Sequence, residues 1–156
     1  MTPEDRLARQ GLALPVAGAP AFDYEPLKIH GDVVYLAGQL AKEAGEVAQL
    51  GRVGAEIDEA EGMRQMQLCA LHSLAWLKQA AGGELSNVRG ILHLNAYIAC
   101  TAEFDGISRL ADAASGILIN ALGPDGRHPR SVLGLMRLPR NAPVMIDLKA
   151  VFHTEL

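Results

Sequence analysis

The chain has 156 residues, of which 49% are hydrophobic and 21% charged, and a formal net charge of −4, the profile of one ordinary domain. Its 14 Lys and Arg are spread thinly against 18 Asp and Glu, so no basic patch offers phosphate neutralisation and nucleic acid is a poor partner. No apolar stretch reaches the roughly 18 residues of a membrane span, Met1 to Arg6 is polar with no signal-type core behind it, and the cytoplasm is the expected compartment.

With no repeat or linker to divide it, 1–156 reads as a single domain whose residues 1–20 form an N-terminal appendage. Thr2 caps a short helix through Leu7, with Pro3 in its first turn and Glu4 and Asp5 beside the positive dipole end. Leu27 to His30 and Val33 to Gly38 flank Gly31-Asp32, which predicts a β-hairpin. From the N-cap Asp58, apolar residues recur at three and four (Ile57, Ala60, Met63, Ala70, Leu71, Leu74, Leu77, Ala81) up to Gly82-Gly83. That spacing is a long amphipathic helix with a glycine cap.

Ile91 to Ala99 alternates, placing Leu92, Leu94, Ala96 and Ile98 on one face and His93, Asn95 and Tyr97 on the other. Thr101 is the expected cap of a second helix that carries Glu103 and Phe104 in its first turn and ends at Gly123. Ser131 to Leu138 and Val144 to Phe152 read as two closing strands joined through Pro139 to Pro143 as a hairpin, the last alternating Val144, Ile146, Leu148, Ala150 and Phe152 against Met145, Asp147, Lys149 and Val151. The order ββ-α-β-α-ββ predicts an α+β layer with two helices covering one sheet face. The other face mixes Tyr97, Met145 and Val151 with polar groups, as a face packed against further subunits would. Cys69 and Cys100 sit apart in apolar surroundings as reduced core thiols. The five histidines show no short-spaced pair, so neither a metal nor a cofactor is expected.

Tyr24 upstream of Val33-Val34-Tyr35-Leu36-Ala37-Gly38-Gln39, the long helix, the segment around Glu103-Phe104, and Pro129-Arg130-Ser131-Val132 ahead of Leu138-Pro139 together resemble the YjgF/RidA family of reactive-intermediate imine deaminases, also known as the L-PSP endoribonuclease family. The resemblance runs from about residue 20 to the C-terminus. Glu61-Gly62, Leu68-Cys69-Ala70-Leu71 and Gly126-Arg127-His128-Pro129-Arg130-Ser131 are similar to its slightly longer branch. It implies the chorismate-mutase-like α+β fold, a mixed sheet with two helices on one face, and a homotrimer around a central barrel with small-molecule clefts at the subunit junctions.

Five residues are candidates for the chemistry. Arg130 can grip a carboxylate through two parallel hydrogen bonds, and the resemblance implies that it anchors the acid group of a small metabolite. Tyr24 matches a cleft-lining tyrosine, and Asp112 lies next to a position where the family often carries asparagine. His128 has the side chain for proton transfer near neutrality, and Asp147 matches a second acidic position. Met145, however, stands where deaminases usually carry a glutamate that orients water, and a thioether is no base. Val132 and Ala37 likewise replace a common cysteine and a small hydroxyl residue. The resemblance therefore implies hydrolysis of 2-imino or 2-enamino acids to 2-keto acids and ammonia, with a non-catalytic or differently specific carboxylate-binding trimer as the alternative; the acidic balance disfavours an endoribonuclease.

Overall fold

Thr2 opens the first helix, α1 (Pro3–Ala8), through a reciprocal box in which its hydroxyl accepts from the Asp5 amide and the Asp5 carboxylate accepts from the Thr2 amide. The computed structural model describes residues 1–20 and 22–153. After α1 follow β1 (Leu27–His30), β2 (Val33–Leu40), a small hairpin of β3 (Lys42–Glu43) and β4 (Glu46–Val47), α2 (Glu59–Ala80), β5 (Val88–Ala99), α3 (Ile107–Leu122), β6 (Arg130–Leu135) and β7 (Val144–Phe152). The β3–β4 hairpin turns on Ala44 and Gly45, both at positive φ, and the hydrophobic spacing gives no hint of it.

Five strands form one mixed sheet in the order β1-β2-β7-β5-β6. This corrects the expected closing hairpin: β6 and β7 are not neighbours. An α3 crossover from β5 brings β6 back parallel to β5, with Leu94 opposite Arg130. The other side of β5 is taken by antiparallel β7, which also pairs with β2. Pro139 to Pro143 therefore carries the chain from the sheet edge to its centre, and β6 ends at Leu135 because Leu138 turns inward to pack with Ala99 and Ala142.

Two more expectations need correcting. Thr101 does not cap the second helix: its amide donates to Val53 O at 3.0 Å, while Val53 N donates to Ala99 O at 2.8 Å. That bridge holds residues 101–106 as a loop containing Glu103 and Phe104, and α3 begins at Ile107 behind Gly106 with no side-chain cap. In β5 the register slips twice, between Val88 and Gly90 and between Ile91 and His93, so Ile91 is buried while Leu92 is 44% exposed. A strict alternation cannot foresee a bulge.

The packing elsewhere follows the periodicities. Both long helices lie on one face, where Met66, Leu74 and Leu77 of α2 and Leu110 and Leu118 of α3 meet Leu94, Ile98, Ile146 and Leu148, all fully buried. Truncating any of these leucines to alanine removes about 2–5 kcal/mol. Asp58 caps α2 by accepting from the Glu61 amide, although the buried stripe takes Gly62 and Gln65 in place of Ala60 and Met63. α1 docks on α3 through Leu7 and through Arg6, which donates to Ala121 O at 2.8 Å. Among the described residues no helix is long and apolar enough to cross a membrane.

The face of the sheet away from the helices carries Tyr35, half exposed, with Lys149 lying over its ring, then His93, Asn95, Tyr97, Asp147 and Leu133. The buried Nδ1 of His93 has no partner among the described residues.

Candidate functional site

Arg130 is the first residue of β6 and lies opposite the core-facing Leu94, so its side chain leaves the sheet on the helix side and meets α3. Ser108, Asp112 and Ser115 stand there at positions i, i+4 and i+7, one stripe of the helix. The guanidinium donates through Nη2 to Asp112 Oδ1 at 2.8 Å and to Ser108 O at 3.3 Å, and through Nη1 to Ser115 Oγ at 3.1 Å. Only 24% of the Arg130 side chain is exposed, against 72% for Asp112. Thus the cation is fixed by the fold while its counter-charge hangs in solvent, where such a pair contributes little and exchanges readily.

His128 completes the support. Its Nδ1 lies 2.6 Å from Gly126 O; a carbonyl only accepts, so Nδ1 carries the proton. The free Nε2 then accepts from the Ser115 hydroxyl at 2.9 Å, whose oxygen is the acceptor for Arg130. Burial pushes the His128 pKa below its ordinary value, and the neighbouring Arg130 and His93 act in the same sense. The imidazole is consequently neutral with both nitrogens engaged. It orients the serine that orients the arginine. Gly126 makes this possible, since a Cβ there would fall 2.3 Å from Leu118 O and the loop could not lie against α3.

Asp147 belongs to the opposite face of the sheet. Its oxygens accept from Asn95 Nδ2 at 2.9 Å and Tyr97 Oη at 2.7 Å. Burial, followed by the bond to Asp147, pushes the Tyr97 pKa up to about 12, so the phenol stays a donor. Asp147 pairs with neither Lys149 nor an arginine among the described residues. No part of this arrangement points a base at Arg130.

Tyr24 and Met145 are found together elsewhere, in a cavity of about 840 Å³ at the end of the sheet where β2 leaves it. The strap of residues 15–20, Phe22, the second half of β2, His72 and Trp76 of α2, and Pro139-Arg140 enclose it. Met145 lies directly over Gly38, whose absent Cβ would sit 2.6 Å from the methionine sulfur. That close approach coincides with the register slip between Leu36 and Gln39 on β2. Within a single chain the sheet brings Arg130, Asp112 and His128 to one region and Tyr24 and Met145 to another, with Asp147 in neither.

The sequence patterns named the arginine and the tyrosine but missed their surroundings. The stripe Ser108, Asp112, Ser115 was legible on a helix traced only through its apolar residues. Lys42, His72, Trp76 and Arg140 share a cavity only because distant segments converge, which no spacing reveals. Among the described residues no group of three or more His, Cys, Asp or Glu is placed to hold a metal ion. Cys69 is buried with its thiol pKa pushed up by desolvation, and Cys100 is half-buried and free.

Comparison with known proteins finds a match over residues 4–152 to the family described as "YjgF/chorismate_mutase-like, putative endoribonuclease". The match takes in most of the N-terminal segment as well. Protein TCP17 of Trypanosoma cruzi is 33% identical over 142 residues, covering 90% of this chain and 88% of its own. The crystal structure of Atu1372 from Agrobacterium tumefaciens superposes with a TM-score of 0.89 at 36% identity, covering 97% of this chain and 92% of that one. A "putative endoribonuclease" of Shewanella oneidensis superposes at 0.93 with 32% identity, covering 97% and 100%.

Proposed function

The chain belongs to the YjgF/chorismate-mutase-like family, and on that premise we propose that it binds a small carboxylate-bearing metabolite through Arg130 and hydrolyses its reactive 2-imino or 2-enamino form. The observation that carries this reading is the guanidinium fixed by Ser115 and Ser108 yet balanced only by the exposed Asp112. An incoming carboxylate can displace that partner and take two parallel hydrogen bonds. Water then adds to the imine carbon, and the C–N bond breaks to leave a 2-keto acid and ammonia. Binding supplies orientation. No side chain near Arg130 is free to act as base, because His128 is neutral and doubly bonded.

Clefts between the copies of a homotrimer are part of the same proposal. Arg130 starts the edge strand β6, and the cavity with Tyr24 and Met145 opens beside β2 on the other side of β5 and β7. A head-to-tail ring, in which one copy's β6 edge meets the next copy's cavity, would unite the two halves. The half-exposed Tyr35 and Leu133 on the open sheet face are the surface such a ring would bury.

Met145 favours a second reading, a carboxylate-binding trimer without catalysis, since the thioether presses on Gly38 in place of a water-orienting acid. Ammonia release from an enzymatically generated 2-imino acid separates the two. We expect acceleration by the wild type and its loss in Arg130→Ala at matched oligomeric state. Background rates in both would remove the hydrolytic reading, and calorimetry with small 2-keto acids and benzoate would then test binding alone.

A further inference from the structure

We propose that the cavity beside β2 binds an organic monoanion with an apolar body, its charged end held by Lys42 and Arg140 and its body lying against Phe22, Trp76 and Met145. The inference does not depend on Arg130 or on imine hydrolysis.

Three observations converge on it. First, the cavity wall contains two cations and no Asp or Glu, in a chain whose net charge is −4. Among the described residues neither Lys42 nor Arg140 has an acidic partner, although Arg64, Lys78, Arg109 and Arg130 all do. Lys42 is also close enough to Arg140, and desolvated enough, for its pKa to fall below the ordinary lysine value, with desolvation the larger cause. Two like charges held together without a counter-charge are a site that an anion would stabilise.

Second, both cations are placed by the fold. The Lys42 carbonyl accepts from His72 Nε2 at 2.8 Å, which ties β3 to α2. Arg140 and Asn141 both hold left-handed backbone at φ 58° and 56°, and Gly51 N donates to Asn141 O at 2.9 Å. Such a conformation costs about 1 kcal/mol for each side-chain-bearing residue. Here that strain turns the Arg140 side chain to the cavity wall. Third, the remaining wall is aromatic and apolar, so a ligand must match a large hydrophobic surface as well as a charge.

Trp76 is the chain's one tryptophan and lines the cavity, which makes its emission a direct probe. Titration of the full chain with 3-phenylpropionate should change that emission saturably, with parallel heat in calorimetry. The neutral 3-phenylpropionamide and the short propionate should each bind at least about ten-fold more weakly. Lys42→Gln with Arg140→Gln should lose at least about ten-fold, and Arg130→Ala should bind as the wild type does.

Arg140→Gly guards against a folding artefact. Glycine accepts the left-handed backbone, so this variant should melt at or above the wild-type temperature and still bind more weakly. The proposal is overturned by any of three results: no saturable signal or heat in the wild type, equal affinity for acid and amide, or binding lost in Arg130→Ala but kept in the double variant.

Discussion

The Arg130 cluster and the β2 cavity differ in how they are built. The cluster is local in sequence, with Ser108, Asp112, Ser115, Gly126, His128 and Arg130 spanning one helix and the loop that follows it, and its polar groups are bonded to one another. The cavity draws on five distant segments and leaves its two cations without acidic partners. A closed hydrogen-bond network stores its interaction energy in the fold, whereas an open one keeps it for a ligand. Substitutions in the cluster should therefore register in stability, and substitutions around the cavity in binding and turnover.

The largest effect is expected at Gly126. Alanine there meets the α3 backbone, and since neither partner is a flexible side chain we expect a loss of about 3 kcal/mol. In thermal unfolding this is a fall of roughly 6–12 °C; an unchanged melting temperature would break the contrast. Next comes Met145→Glu, which should leave the melting temperature within about 4 °C. It should raise ammonia release from a 2-imino acid by roughly ten-fold or more if a positioned carboxylate is what the cavity lacks. The same carboxylate should weaken 3-phenylpropionate binding, because it faces the cations from within.

His128 gives a pH signature. Its folded pKa lies below the unfolded value of about 6.5, so the unfolded chain binds the proton more readily. The stability it contributes is fully present above about pH 6.5 and is lost as the pH falls through the lowered folded pKa. His128→Gln should flatten the slope of unfolding free energy against pH between about 7 and 5, measured by urea titration at each pH. A slope identical to that of the wild type would mean that the imidazole is not held neutral by the cluster. The smallest effect belongs to Asp112→Asn. Freeing Arg130 from an exposed partner should tighten benzoate binding at that residue by about two- to five-fold, with no change in thermal stability.

The same local-versus-distant distinction explains what the sequence made readable. The Thr2 box, the Asp58 cap and the alternation of β7 depend on neighbours within a few residues, and all three stand as the patterns predict. The edge position of β6 depends on which strand occupies the other side of β5, and the loop at Thr101 depends on Val53 almost fifty positions away. Neither leaves a local mark. Arg130 was legible because its motif is contiguous, and its serine supports were legible in principle as a helical stripe. Lys42 and Arg140 were not, since nothing in either neighbourhood says that the two charges face one cavity.

The place of β7 has a consequence for how the chain is made. The last strand in sequence fills the middle of the sheet, pairing with β2 on one side and β5 on the other. Until it leaves the ribosome, the growing chain holds a β1–β2 ribbon and a β5–β6 pair with no strand to join them, and the apolar faces of α2 and α3 have only part of their floor. Folding of this domain is thus deferred to the end of translation. A stalled or prematurely terminated product ending before Val144 would expose two open strand edges at once, a substrate for chaperones and proteases rather than a smaller version of the protein.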